Sequence, residues 1–260
     1  MMVAMIFILG LCVGSFVNML IYRTALRYGV ESRKSKVKSK NRSFCDFCER
    51  QLRWYENIPV ISWIIQQGRS KCCGEKLPVS YPLLELATGI IFLIHDSRFM
   101  IHEYNFLAWG WGIVIITLLI FSAGFDLKYM ILPDFSTAIL IAIAFLGVVF
   151  DEKNIIPYLV TAIGASGFLG LLYIVTKGKG MGLGDVKLAV FMGLFLGWPK
   201  TLGAFYLAFI AGAIVGLILL GFKKVRMKSE IPFGPFLIMP TLFTWYYGEE
   251  ILIVVKKLLL

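Results

Sequence analysis

The stretch FLAWGWGIVIITLLIFSAGF, residues 106–125, runs for twenty residues without one charged side chain. As a helix it would rise about 30 Å, the thickness of a bilayer's hydrocarbon core. A helix apolar on every side belongs inside a large core or inside lipid. The whole chain decides for lipid. Of its 260 residues 58% are hydrophobic and only 16% charged, with a mean hydropathy of +0.79. Soluble domains carry about 45–50% apolar and about 25% charged residues. A compact soluble fold of this size could not bury the excess, which argues against a secreted globular enzyme or a disordered protein.

Outward from 106–125, similar runs lie at 2–22 and 82–94 before it. After it come 135–150, 156–175, 186–196, 202–222 and 236–260. Several are short, and the last is interrupted by Gly248-Glu249-Glu250. The expected fold class is all-α: a polytopic integral membrane helical bundle of about eight transmembrane helices, with six to nine compatible with the pattern. The first run lacks a basic start and a small-x-small cleavage site, so it reads as a retained helix. Gly164, Gly167 and Gly170, with Gly212 and Gly216, read as small-residue faces for close helix packing.

The formal charge is +10, from 26 basic and 16 acidic residues. With the N-terminus outside, 21 of the 26 fall in inner segments and only Arg98, Lys153 and Lys200 in outer loops. That asymmetry is the positive-inside rule. The basic excess therefore sets orientation, with the lipid bilayer as its partner, and nucleic acid is not a partner. Three parts follow: 1–23 as the first transmembrane helix, 24–80 as a cytoplasmic basic and cysteine loop domain, and 81–260 as a membrane core. The run RKSKVKSKNR at 33–42 reads as a solvated charged segment.

Charged side chains at membrane depth are costly and mark function by default. Glu85, Asp126 and Asp185 qualify. Glu85 reads as a paired carboxylate that fixes helix packing. Asp126 ends the third run, and Asp185 opens the sixth within Gly180-Met181-Gly182-Leu183-Gly184-Asp185-Val186-Lys187. Each alone would be a loop carboxylate or a helix cap, but both fall at inner helix ends, where they can meet. The glycines let the backbone approach closely. Two close carboxylates in low dielectric share a proton; the ionised one can activate water while the protonated one polarises a peptide carbonyl. His95 and His102 both read as outer-loop residues, which disfavours a Ser/His or Cys/His triad. The glycine run at 178–184 lacks the strand that a dinucleotide site requires.

These blocks together resemble the type IV prepilin peptidases, membrane aspartic proteases with a Gly-x-Gly-Asp motif. The likeness covers nearly the whole chain. It includes Gly14-Ser15-Phe16-Val17-Asn18, Trp54-Tyr55-Glu56-Asn57-Ile58-Pro59, Tyr81-Pro82-Leu83-Leu84-Glu85, Leu132-Pro133-Asp134, Gly182-Leu183-Gly184-Asp185-Val186-Lys187 and Ile231-Pro232-Phe233-Gly234-Pro235. The resemblance implies an aspartic endopeptidase that removes the basic leader of prepilins or pseudopilins at the cytoplasmic face of the bacterial inner membrane. It also implies N-methylation of the new N-terminus from S-adenosylmethionine. The family's catalytic aspartates fall on Asp126 and Asp185, supported by Gly182, Gly184 and Lys187. Asp134 reads as a cap or turn residue. Glu49, Glu56 and Glu75 are the acidic candidates to meet a basic leader.

Of five cysteines, Cys12 reads as a small core residue. The others form Cys45-x-x-Cys48 and the adjacent pair Cys72-Cys73, where the family has a second Cys-x-x-Cys. In a reducing compartment this set reads as a structural four-thiolate zinc site. The alternative is two free thiols beside a weakened site, because Ser70 holds the expected first position and adjacent ligands need a distorted turn. The departure bears on methylation too, since the loop accompanies that activity in the family. Two rival classes remain: a proton- or ion-coupled transporter using intramembrane carboxylates, and a zinc-loop membrane scaffold without chemistry.

Overall fold

The computed structural model describes residues 2–30, 43–45, 47–48, 50–101, 105–150, 154–178, 180–222 and 231–259. The basic run at 33–42, Glu49, His102, Lys153, Lys179 and the basic residues of 223–228 lie outside them. The described residues form helices and two isolated β-bridges, with no strand. The helices are α1 (Met2–Arg27), α2 (Ile61–Ile65), α3 (Ser80–Ile101), α4 (Phe106–Tyr129), α5 (Asp134–Phe150), α6 (Ile155–Thr176), α7 (Leu183–Leu196), α8 (Lys200–Gly221) and α9 (Gly234–Leu259). A 3-10 turn covers Trp54–Asn57. Among the described residues, α1, α4, α6 and α8 are long and apolar enough to cross a membrane. The described fold is thus all-helical, with these four helices both long and apolar enough to span.

Two compact units divide the chain, Met1–Gly124 and Phe125–Leu260, the boundary falling inside α4. In the first unit, α1 packs along α3. A Cβ on Gly10 would stand 2.7 Å from the Gly89 Cα, and one on Gly14 would stand 2.7 Å from the Glu85 Cα. The two backbones therefore meet where side chains are missing. Cys12, expected in the core, is exposed, because two helical residues carry it well round from the Gly10 and Gly14 face.

In the second unit, α7 is the hub, packed by α5, α6, α8 and α9. Leu188, Phe191, Met192 and Leu194 are buried on it, as a helix apolar all round requires. Close approach falls at Gly193, whose Cβ would run into the Ala162 backbone of α6. Of the glycines picked from the sequence, Gly170 faces Val186 of α7 and Gly212 faces Phe233 and Phe236 at ordinary contact distance, while a Cβ at Gly164, Gly167 or Gly216 meets nothing within 4 Å. Spacing of small residues alone therefore does not locate the tightest contact.

Candidate functional site

Asp126 and Asp185 both belong to the second unit and both are buried, at 5% and 6% exposure. Asp126 sits near the end of α4. The chain then turns sharply, with the Met130 N–H donating to the Asp126 carbonyl at 2.8 Å and Met130 in the left-handed region at φ 55°. Asp185 occupies the first turn of α7, whose N-cap is Gly182. Its Oδ2 accepts the Gly182 N–H at 3.0 Å, satisfying one donor that a helix start leaves open. Across the unit, Asp126 Oδ2 accepts the Gly234 N–H at 2.9 Å. Each carboxylate therefore has one oxygen fixed by a glycine amide.

Leu132, in the turn after α4, links the two. A Cβ on Gly184 would stand 2.8 Å from the Leu132 Cβ, so only glycine lets α7 begin so close to this turn. A Cβ on Gly234 would stand 2.7 Å from Asp126 Oδ2 and 3.3 Å from Leu132 Cδ2. Gly182 is different: it has ordinary space for a Cβ and contributes its amide. Sequence reading singled out Gly182 and Gly184 but gave Gly234 no role. The signal was there, a glycine between Pro232 and Pro235 beside a helix start, but nothing local names a partner 108 residues away. Lys187 Nζ meets Asp134 Oδ1 at 2.6 Å, joining the starts of α7 and α5 at the surface. Asp134 is the first residue of α5, where the sequence reading had a cap or turn residue.

Other expected placements change. Glu56 was a candidate to meet a basic leader, but it is buried and spent: it accepts from Arg50 at 2.7 Å and from the Arg53 amide at 2.7 Å. Glu75 is exposed. His95 is not in a loop; it lies inside α3, fully buried, with Nε2 3.1 Å from the Trp109 carbonyl. The helix runs further than its apolar stretch, and His95 and Asp96 are buried within it. Glu85 accepts the Val60 amide at 2.7 Å, so it ties the loop preceding α2 to α3.

The cysteine loop is built from two similar turns. The bridge Phe44↔Gln51 encloses Cys45 and Cys48, and the bridge Arg69↔Lys76 encloses Cys72 and Cys73. The Cys45 amide donates to the Arg50 carbonyl at 2.9 Å, and the Ser70 amide donates to the Glu75 carbonyl at 2.8 Å. Ser70 is thus the counterpart of Cys45, and Cys73 that of Cys48. The adjacent pair does not prevent convergence: all four sulfurs lie within 4.8 Å of one another. A tetrahedral ion with metal–sulfur bonds of about 2.3 Å needs sulfurs about 3.8 Å apart. Cys45 to Cys73 is 3.8 Å and Cys48 to Cys72 is 3.1 Å, so the donor set fits zinc. Gly74, at φ +74°, completes the turn that swings Cys72 inward, and Ser70 Oγ lies 3.0 Å from its sulfur. Burial pushes the Cys72 thiol up, but hydrogen bonds from Ser70 and then the other cysteines bring it down to about 6. Cys48, bonded to Cys72, is pushed up to about 12.

Fold and site together define a class: an all-helical protein with membrane-length helices and an enclosed carboxylate pair at helix ends. The particular family follows from comparison with known proteins. Residues 8–99 match the bacterial peptidase A24 N-terminal domain and residues 113–217 match the type IV leader peptidase family. A prepilin leader peptidase/N-methyltransferase of Myxococcus xanthus is 32% identical over 98% of this chain and 75% of its own length. One of Bacillus subtilis is 32% identical over 96% of both chains. One of Klebsiella pneumoniae is 32% identical over 76% of this chain and 87% of its own. No solved structure matches the chain. The chain belongs to the type IV leader peptidase family.

Proposed function

We infer that this chain is a membrane-embedded aspartic endopeptidase that removes the basic leader of prepilins or pseudopilins, with Asp126 and Asp185 as its catalytic pair. It also N-methylates the new amino terminus. One observation carries the assignment of the pair: two buried carboxylates in one compact unit, each with one oxygen fixed by a glycine amide. So placed, the dyad shares a proton and acts as one unit. The ionised member takes a proton from water as its oxygen attacks the scissile carbonyl, and the protonated member gives its proton to the carbonyl oxygen. Collapse breaks the C–N bond, and the leaving amine takes a proton from the dyad. Gly184 keeps Leu132 against the start of α7, while Lys187 and Asp134 join the two neighbouring helix starts.

About eight spans, with the N-terminus outside, put the pair and the cysteine loop at the cytoplasmic face of the inner membrane. The divisions at residues 23 and 80 then separate an anchoring helix, a loop domain and the peptidase core. The four cysteines hold one structural zinc ion in that loop, and S-adenosylmethionine supplies the methyl group. A transporter would place its carboxylates near the bilayer midplane; the positions of Asp126 and Asp185 at helix ends favour the peptidase.

Co-expression with a tagged prepilin tests the pair. Asp126→Asn or Asp185→Asn is expected to abolish leader removal, read as a gel shift, while membrane insertion persists. Normal processing by both single variants would refute the assignment.

A further inference from the structure

The first unit contains a cavity of about 420 Å³ that the peptidase chemistry does not use. It lies entirely within residues 12–85, between the second half of α1, the start of α3 and the cysteine loop. Its size falls in the range of small-molecule sites, about 300–1,000 Å³.

The walls carry charge. Glu85 is buried, and one oxygen accepts the Val60 amide at 2.7 Å. Ser15 also donates to this carboxylate, and among the described residues no cation pairs with it. The Arg23 guanidinium lines the same cavity from α1. Asn18 gives its amide nitrogen to the Tyr81 carbonyl at 3.2 Å, which leaves its side-chain oxygen to accept. Trp63 supplies a planar aromatic wall. A cavity with a lone carboxylate, a guanidinium and an aromatic face suits a zwitterion joined to a flat heterocycle. The backbone adds a second sign. Val60, whose amide holds Glu85, sits at φ 59°, a region that a β-branched residue rarely adopts. Strain of this kind collects at ligand sites, where the surrounding structure sustains it.

We propose that this cavity is the S-adenosylmethionine site, with Glu85 facing the cationic sulfonium and ammonium, Arg23 the carboxylate, and Trp63 the adenine. The proposal rests on the methyltransferase half of the function above. In the transfer, the substrate's terminal ammonium first loses a proton to water, and its lone pair then forms the N–C bond as the methyl–sulfur bond breaks, leaving a neutral thioether. The chain's part is to hold the donor: a buried anion beside a cationic ligand, in a walled cavity, is worth more than the same pair in water.

Binding can be read apart from both activities. Full-length protein in lipid nanodiscs would be titrated with S-adenosylmethionine by calorimetry, then photolabelled with the methyl-tritiated compound and mapped by peptide. Saturable binding is expected, with label inside residues 12–85. Glu85→Gln keeps the Val60 contact and removes the charge, and Arg23→Gln removes the other. Each should weaken binding by about tenfold or more. Prepilin cleavage should stay at the parental rate, and this also shows that the variants fold. If one variant loses cleavage, the other decides. Label confined to 125–260, parental affinity in a variant that still cleaves, or absence of saturable binding would each overturn the proposal. So would a phospholipid that native mass spectrometry finds in the protein and that the compound does not displace. Loss of cleavage by the parent would count against the peptidase reading instead.

Discussion

At the scale of single residues, the site depends on a carboxylate oxygen and a missing side chain. Gly234 gives its amide to Asp126 Oδ2 at 2.9 Å, and a Cβ there would stand 2.7 Å from that same atom. Gly234→Ala therefore forces the carboxylate aside or moves the start of α9. Overpacking of this kind costs about 1–3 kcal/mol, and misplacing a reacting group by about 1 Å can cost about 100-fold in rate. Leader cleavage in Gly234→Ala is expected to fall by about that factor, measured as initial rate on purified prepilin, with the amount of membrane-inserted protein unchanged. Gly182→Ala is the control. Its new methyl group has ordinary contact distance and the amide is retained, so most of the rate should survive. Asp126 and Asp185 were legible in the sequence because charge is scarce there and stands out against apolar runs. Gly234 was not, because its role exists only once the chain has brought it back to Asp126.

Helices show the same division. Length and apolarity marked α1, α4, α6 and α8 directly, because a membrane-length helix is written in consecutive residues. Which faces meet is not written that way. The spacing of Gly164, Gly167 and Gly170 suggested a contact seam, yet the close approach lies at Gly193 against Ala162. Small residues permit contact without demanding it; the demand comes from what stands opposite. This yields two substitutions of opposite sign. Gly193→Ala drives a methyl group into the α6 backbone, which cannot yield as a side chain would, and should lower the thermal midpoint in detergent markedly. Gly164→Ala meets open space and gains helix propensity worth up to about 1 kcal/mol, so its midpoint should hold or rise. If both substitutions lowered the midpoint alike, the α6–α7 seam would be misplaced. In the cysteine loop the sequence offered four candidate ligands and one apparent obstacle. Adjacency of Cys72 and Cys73 looked like a defect, and the turn ending at Gly74 resolves it.

For the molecule as a whole, the open question is how many times the chain crosses the bilayer, and α7 decides it. At 14 residues α7 rises only about 21 Å, short of the roughly 30 Å hydrocarbon core. It does not need to face lipid, because α5, α6, α8 and α9 pack around it. A short central helix can span if its neighbours carry the lipid boundary and its ends lie in polar recesses. With the loop before α7 inside, that arrangement would put Asp185, at the start of α7, within reach of a cytoplasmic substrate. The distribution of basic residues assigns the loop before α7 to the inside and the loop after it to the outside. Single cysteines in a cysteine-free background can separate the cases, at Gly178 before α7 and at exposed Trp198 after it. A membrane-impermeant maleimide should label Trp198→Cys from outside in intact spheroplasts, and Gly178→Cys only after permeabilisation. Labelling of both positions from the same side would make α7 re-entrant. The count would then fall from about eight to about seven, and the sides assigned to α8 and α9 would exchange. Asp126 and Asp185 could still meet in that case, because Leu132 and the glycine amides fix them within one unit.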